Sequence, residues 1–274
     1  MTNIRVFLNI LTIVFFFLFA QTAAAQITWD GGGATNNWSE AANWSTDAVP
    51  LNTDIVIFDG TSSKDVVFDI TLTRAAATNI NTGYTGTLSA GSTNLIFNGV
   101  FTQNAGTFNG GSGMLDFNNN FTLSGGTFTQ SSNLNLFSSF NFTLDSAAVF
   151  NHNNGTFVID GAFNFLGTAT SLELFNIRVE ATHNLGSKTM IANETLELIS
   201  GNRVDGSFET KNNLTIATNY SGVSSVIISG NNTRTITLPI TAAMPSFIIN
   251  DPNVTIQPSS TSGTLTFAQI SFVL

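Results

Sequence analysis

Leu95-Ile96-Phe97, Phe101-Thr102-Gln103 and Gly106-Thr107-Phe108 are followed, in the same order, by Leu115-Asp116-Phe117, Phe121-Thr122-Leu123 and Gly126-Thr127-Phe128. The next rounds are looser: Leu134-Asn135-Leu136, Phe140-Asn141-Phe142 and Ala148-Val149-Phe150, then Phe157-Val158-Ile159 and Phe163-Asn164-Phe165. The anchors Phe101, Phe121, Phe140 and Phe163 lie 20, 19 and 23 residues apart. Alternation within a triplet sends its outer members to one face and its middle member to the other. The middle positions Ile96, Asp116, Asn135 and Val158 tolerate polarity, whereas their neighbours are apolar. Gly, Asn and Ser clusters between the triplets suit corners, because Gly and Asn accept positive φ.

A single coil of about 20 residues cannot bury its own apolar face, but stacked coils bury one another's. Equivalent residues then sit about 4.8 Å apart, with Phe on Phe inside and Asn beside Asn at corners. Three residues before the anchors stand Asn98, Asn118, Phe137 and Asp160, so Phe137 interrupts the expected polar column. Short strands continue downstream, among them Leu172-Glu173-Leu174, Phe175-Asn176-Ile177-Arg178-Val179, Leu196-Glu197-Leu198, Leu214-Thr215-Ile216, Val226-Ile227-Ile228 and Phe247-Ile248-Ile249. The expected fold is all-β, a right-handed parallel β-helix (β-solenoid) with an N-terminal cap region. Residues 75–274 offer room for roughly ten coils of that length. A β-sandwich or barrel is the alternative, since short strands with turn signals occur there too.

Composition narrows the function. Only 9% of the 274 residues are charged, against roughly a quarter in ordinary soluble chains; Asn, Thr, Ser and Gly carry the polarity instead. The chain has no Cys, which excludes a disulfide scaffold or a thiolate zinc site. Eight Lys and Arg against seventeen Asp and Glu leave no surface for neutralising phosphates, so nucleic acid is not an expected partner.

Residues 1–25 read as a signal peptide. Arg5 supplies the positive start, Val6 to Ala20 is almost wholly apolar, and Ala23-Ala24-Ala25 offers the small side chains that precede cleavage, here before Gln26. The apolar run is shorter than the roughly 20 residues that span a bilayer. The mature chain is therefore expected to have no transmembrane segment and to be secreted or extracellular, on the cell surface of a bacterium.

Residues 26–74 form a Trp-rich segment holding Trp29, Trp38 and Trp44. Ile27-Thr28-Trp29-Asp30-Gly31-Gly32-Gly33, then Asn36-Asn37-Trp38-Ser39, Ala41-Ala42-Asn43-Trp44-Ser45, Pro50 and Asp54-Ile55-Val56-Ile57-Phe58, resembles the opening of exported bacterial surface proteins. These are autotransporter-passenger-like repeat proteins and bacteroidete adhesins. The resemblance covers about 32 residues and implies a displayed or secreted β-helix with an adhesive or structural role. It brings no catalytic residues. An outer-membrane barrel of eight or more strands does not fit beside these coils, so the resemblance implies a longer chain or attachment through another protein.

The tryptophans are expected to cap one open end of the stack, covering its edge and core section; a platform for sugar rings is the competing use. Asp54, Asp59, Asp65 and Asp69 match no calcium loop and are expected to be solvated. Catalysis on a β-helix, as in a secreted polysaccharide-active enzyme, needs neighbouring carboxylates. Asp116 and Asp160 fall at different places in the repeat, and His152 and His183 lie in polar runs that suit solvated side chains. Thr-x-Thr pairs (Thr71/Thr73, Thr127/Thr129, Thr235/Thr237, Thr264/Thr266) recur too irregularly for one flat threonine face. The expectation is a protein that is not an enzyme, with no catalytic, cofactor or metal residues and no cofactor. It binds through an extended polar face, with surface glycans or other cell-surface proteins as partners.

Overall fold

The computed structural model describes residues 24–138, 141–202, 205–222, 225–230, 236–238, 246–251 and 270–272. The proposed signal, apart from Ala24 and Ala25, lies outside them, as do Phe140, Thr235 and the Thr264/Thr266 pair.

Among the described residues, short strands joined by Gly-, Asn- and Ser-containing corners wind through three parallel sheets of eight, thirteen and five strands. One coil shows the path. Leu95–Phe97 lies on the 13-stranded sheet, Phe101–Gln103 on the 8-stranded sheet and Thr107–Asn109 on the 5-stranded sheet. Leu115–Phe117 then returns to the first and pairs in parallel with Leu95–Phe97. Repeated, this gives a β-solenoid of about 9 turns. Ladders between successive coils, not hairpins, satisfy the backbone, which rules out a sandwich of antiparallel layers.

The interior is built from the phenylalanine repeat. Phe97, Phe117 and Phe137 stack at 5.0 and 5.1 Å between centroids, Phe101, Phe121 and Phe142 at 5.3 and 5.1 Å, and Phe108 and Phe128 at 4.9 Å. The columns also meet edge to face, as Phe121 does with Phe128 and Phe137. Offset and T-shaped pairs each add roughly 0.5–1.5 kcal/mol to the gain from area burial.

Two details of register differ from the sequence reading. Asn135 pairs with Leu115 and points inward, while Leu134 and Leu136 are only partly covered on the outer side. Its amide explains the choice: Nδ2 donates to the carbonyls of Ser131, Asn133 and Thr156, and Oδ1 accepts from Ser131 N–H. Phe137 is consequently no interruption; it belongs to the aromatic column, and Ser138 takes the polar place beside Asn118. The partner of Phe121 is Phe142, two residues beyond the expected anchor Phe140.

Other polar groups are also enclosed. Gln103 Nε2 donates to the carbonyls of Ala105, Gly106 and Thr127, and Gln130 Nε2 to that of His152. The buried Arg74 guanidinium serves the carbonyls of Leu51 and Asp54, and burial lowers its pKa to about 10. At corners coils approach closely. Gly111 has φ +60°, and a Cβ there would lie 1.9 Å from the Gly91 carbonyl oxygen.

The cross-section changes near residue 170. The 5-stranded sheet ends at Val149–Asn151, whose ladder partner is Thr127–Thr129. Chain order places residues 171–174 where that side would continue, yet they pair with residues 189–192 instead. The corner before the 13-stranded sheet has also vanished: Ser171–Val179 is one strand with an irregularity between Leu174 and Asn176. One wall of the solenoid is therefore interrupted.

Candidate functional site

Outward positions form polar columns. On the 8-stranded sheet Asn79, Thr102, Thr122 and Thr143 are in register, and Asn141, Asn164 and Asn184 make a second column. On the 5-stranded sheet the columns are Thr87, Thr107, Thr127 and Ser89, Asn109, Thr129, Asn151. Along the 13-stranded sheet Asn118 Nδ2 donates to Asn98 Oδ1 at 3.0 Å, and Ser138 Oγ donates to Asp160 Oδ1 at 2.7 Å. Strand spacing sets the rise between equivalent groups at about 4.8 Å. The chemistry offered is a lattice of uncharged donors and acceptors. Thr71/Thr73 and Thr127/Thr129 sit on different sheets, so they build no common threonine face.

The interrupted wall holds a groove of about 300 Å³, the low end of ligand-site volumes. Leu144, Ala148, Phe150 and Ala169 form part of its lining, with Asp145 and Glu173 among its polar members. Hydrogen bonds from Ser124 and Thr168 hold the Asp145 carboxyl below its ordinary range. Glu173 reaches Lys211 at 3.1 Å. Nothing in the repeat announces this groove. Its one sequence sign is the missing Gly or Asn corner between Leu174 and Phe175.

The tryptophans are buried, not displayed. Trp29 and Trp44 meet edge to face at 5.0 Å, Trp38 and Trp44 at 4.6 Å, and Trp38 stacks on Phe68 at 5.2 Å. Trp44 Nε1 donates to Trp38 O and Trp29 Nε1 to Lys64 O. With indole exposures of 0–1%, no ring face is open to a sugar.

The nearby acids brace local backbone. Asp54 accepts from Leu51 N–H, Asp59 from Thr61 N–H, Asp65 from Thr87 N–H, and Asp69 from Ser39 N–H. Among the described residues no three His, Asp or Glu side chains gather as a metal site. His183 departs from the solvated expectation. It is buried, with the Phe208 and Tyr220 rings 5.1 and 6.2 Å away.

Asp116 and Asp160 face the same side of the 13-stranded sheet in adjacent columns, Asp116 in register with Leu136 and Asp160 beside Ser138. Burial pushes the Asp116 carboxyl above its ordinary value; a hydrogen bond with Asn118 opposes this, and the Asp160 charge reinforces it. Its Oδ1 is covered and has no hydrogen-bond partner among the described residues. A carboxyl raised by folding binds more protons folded than unfolded, so its penalty grows as pH climbs from the unfolded value through the folded one. Asp116→Asn is accordingly expected to raise the melting temperature by a few degrees at pH 7 and hardly at all at pH 3. Thermal scans at the two pH values check this, and an equal shift at both would refute the charge argument.

No family model, curated protein or solved structure matches the chain. The resemblance of its Trp-rich opening to surface proteins thus has no support from these comparisons, and the β-solenoid itself is what the structure establishes. Among the described residues no helix is long and apolar enough to cross a membrane.

Proposed function

We propose that the chain is an exported, non-catalytic rod that acts as an adhesin or structural element at a bacterial cell surface. The carrying observation is the set of outward Thr, Asn and Ser columns repeated coil after coil. Such a lattice makes many weak hydrogen bonds to an extended partner, and multiplicity raises avidity without one tight pocket. Surface glycans match it, being uncharged and rich in hydroxyls; cell-surface proteins are the other partners. The right-handed sense belongs to the same proposal, supported by the strong preference of parallel crossover connections for that hand. So does the N-terminal cap, which the interlocked tryptophans support.

Two measurements test the reading. Mass spectrometry of the protein from its producing cell is expected to find a chain starting at Gln26 outside the cytoplasm. Beads carrying many copies are expected to hold a neutral surface polysaccharide roughly 100-fold longer than single copies do. An unprocessed cytoplasmic chain, or equal retention of both forms, argues against it. Release of new reducing ends from the polysaccharide would put a polysaccharide-active enzyme in its place.

A further inference from the structure

We infer that the groove in the interrupted wall takes an extended peptide segment of a partner protein, added as a strand and carrying alternating apolar and basic side chains. This rests on the groove alone and stands whether or not the rod is exported.

Backbone alternation carries the argument. In a parallel ladder each residue aims both its N–H and its C=O at one edge, and successive residues alternate. Val149 N–H donates to Gly126 O, and Asn151 O accepts from Gln130 N–H. Both residues thus serve the inner ladder, which leaves Phe150 N–H and C=O aimed at the groove. Across it, Thr189 N–H donates to Thr170 O. That phase turns the amides and carbonyls of Ser171 and Glu173 away from residues 189–192 and toward the same groove. Two strand edges therefore face the groove without a ladder between them. Open edges are templates for pairing, and strand addition is the recognition mode that satisfies them.

Side chains set the partner's pattern. Leu144 and Phe150 give the groove an apolar floor, and the small side chains of Ala148 and Ala169 leave room above it. A side chain pointing inward there must be apolar. Its neighbours point outward, toward Asp145 and Glu173. Glu173 is already paired with Lys211, whereas Asp145 feels the Lys188 charge without forming an ion pair among the described residues, so Asp145 is the carboxylate that a Lys or Arg at a flanking place complements.

The probe is a fluorescein-labelled heptapeptide of alternating Val and Lys, followed by anisotropy with the whole protein. Saturable binding is expected, at least tenfold weaker for the same peptide N-methylated on the edge that pairs. Glu173→Lys should weaken binding several-fold while leaving the thermal transition in place, and a Val/Glu peptide should bind poorly. Ala169→Trp should block it. Because that variant risks misfolding, amide exchange on the unmodified protein gives a separate readout: Phe150, Ser171 and Glu173 should slow when peptide is added. Equal binding of the N-methylated peptide, no saturation up to roughly 1 mM, or slowed exchange elsewhere overturns the inference. Displacement of the Val/Lys peptide by a neutral oligosaccharide with unchanged amide exchange would assign the groove to a glycan instead.

Discussion

Phe121→Ala is expected to remove about 3–5 kcal/mol of stability, the usual range for deleting a fully enclosed aromatic ring. Phe121 is 0% exposed and touches rings in every direction. It stacks on Phe101 and Phe142 in its own column and meets Phe117, Phe128 and Phe137 edge to face. The backbone cannot close over the void, because ladders on both sides fix the strand Phe121–Leu123 to its neighbours. Denaturant titration measures the loss. A change below about 1 kcal/mol would mean that the cavity collapses and that the columns are not held rigidly. Since each coil contacts mainly its neighbours, the damage should also be local. Amide exchange ought to quicken near Phe101, Phe121 and Phe142 before it does at the far end.

Trp44→Ala is expected to cost a similar amount, about 3–5 kcal/mol, for a different reason. Trp44 sits between Trp29 and Trp38, contacts Phe58 at 6.0 Å, and donates its indole N–H to Trp38 O. Losing it leaves the other indoles facing a void and strands a buried carbonyl. The result separates two uses of tryptophan. A sugar platform would lose binding while its melting transition stayed put; the enclosed cluster should lose the transition and, only through unfolding, any binding. Unchanged melting would contradict the packing described.

Much of this architecture could be read from period alone. Phe101 with Phe121, and Phe108 with Phe128, fall where alternation and a near-20-residue repeat put them. Reading failed where a polar side chain found its partners inside. Asn135 looks like a surface residue between two leucines, and only the carbonyls of Ser131, Asn133 and Thr156 reverse that preference. In Phe140-Asn141-Phe142 both aromatic residues share a face, so parity could not choose between them. The groove was nearly invisible for a related cause. It arises between two successive coils, where one sheet stops and two strands fuse across Phe175, and its one local trace is the absent corner at Leu174-Phe175.

The enclosed glutamines bear on how so repetitive a chain finds a single arrangement. Rings are interchangeable: a pile shifted by one whole layer would still set benzene against benzene. Gln103 is not interchangeable, since the next layer offers Leu123 at its position. Shifted, its amide would forfeit the three oxygens it now reaches, at roughly 1–3 kcal/mol for a stranded buried group. Gln130 and Asn135 impose the same toll at other levels. These few amides work as page numbers, keeping otherwise identical leaves in order at some expense to raw cohesion.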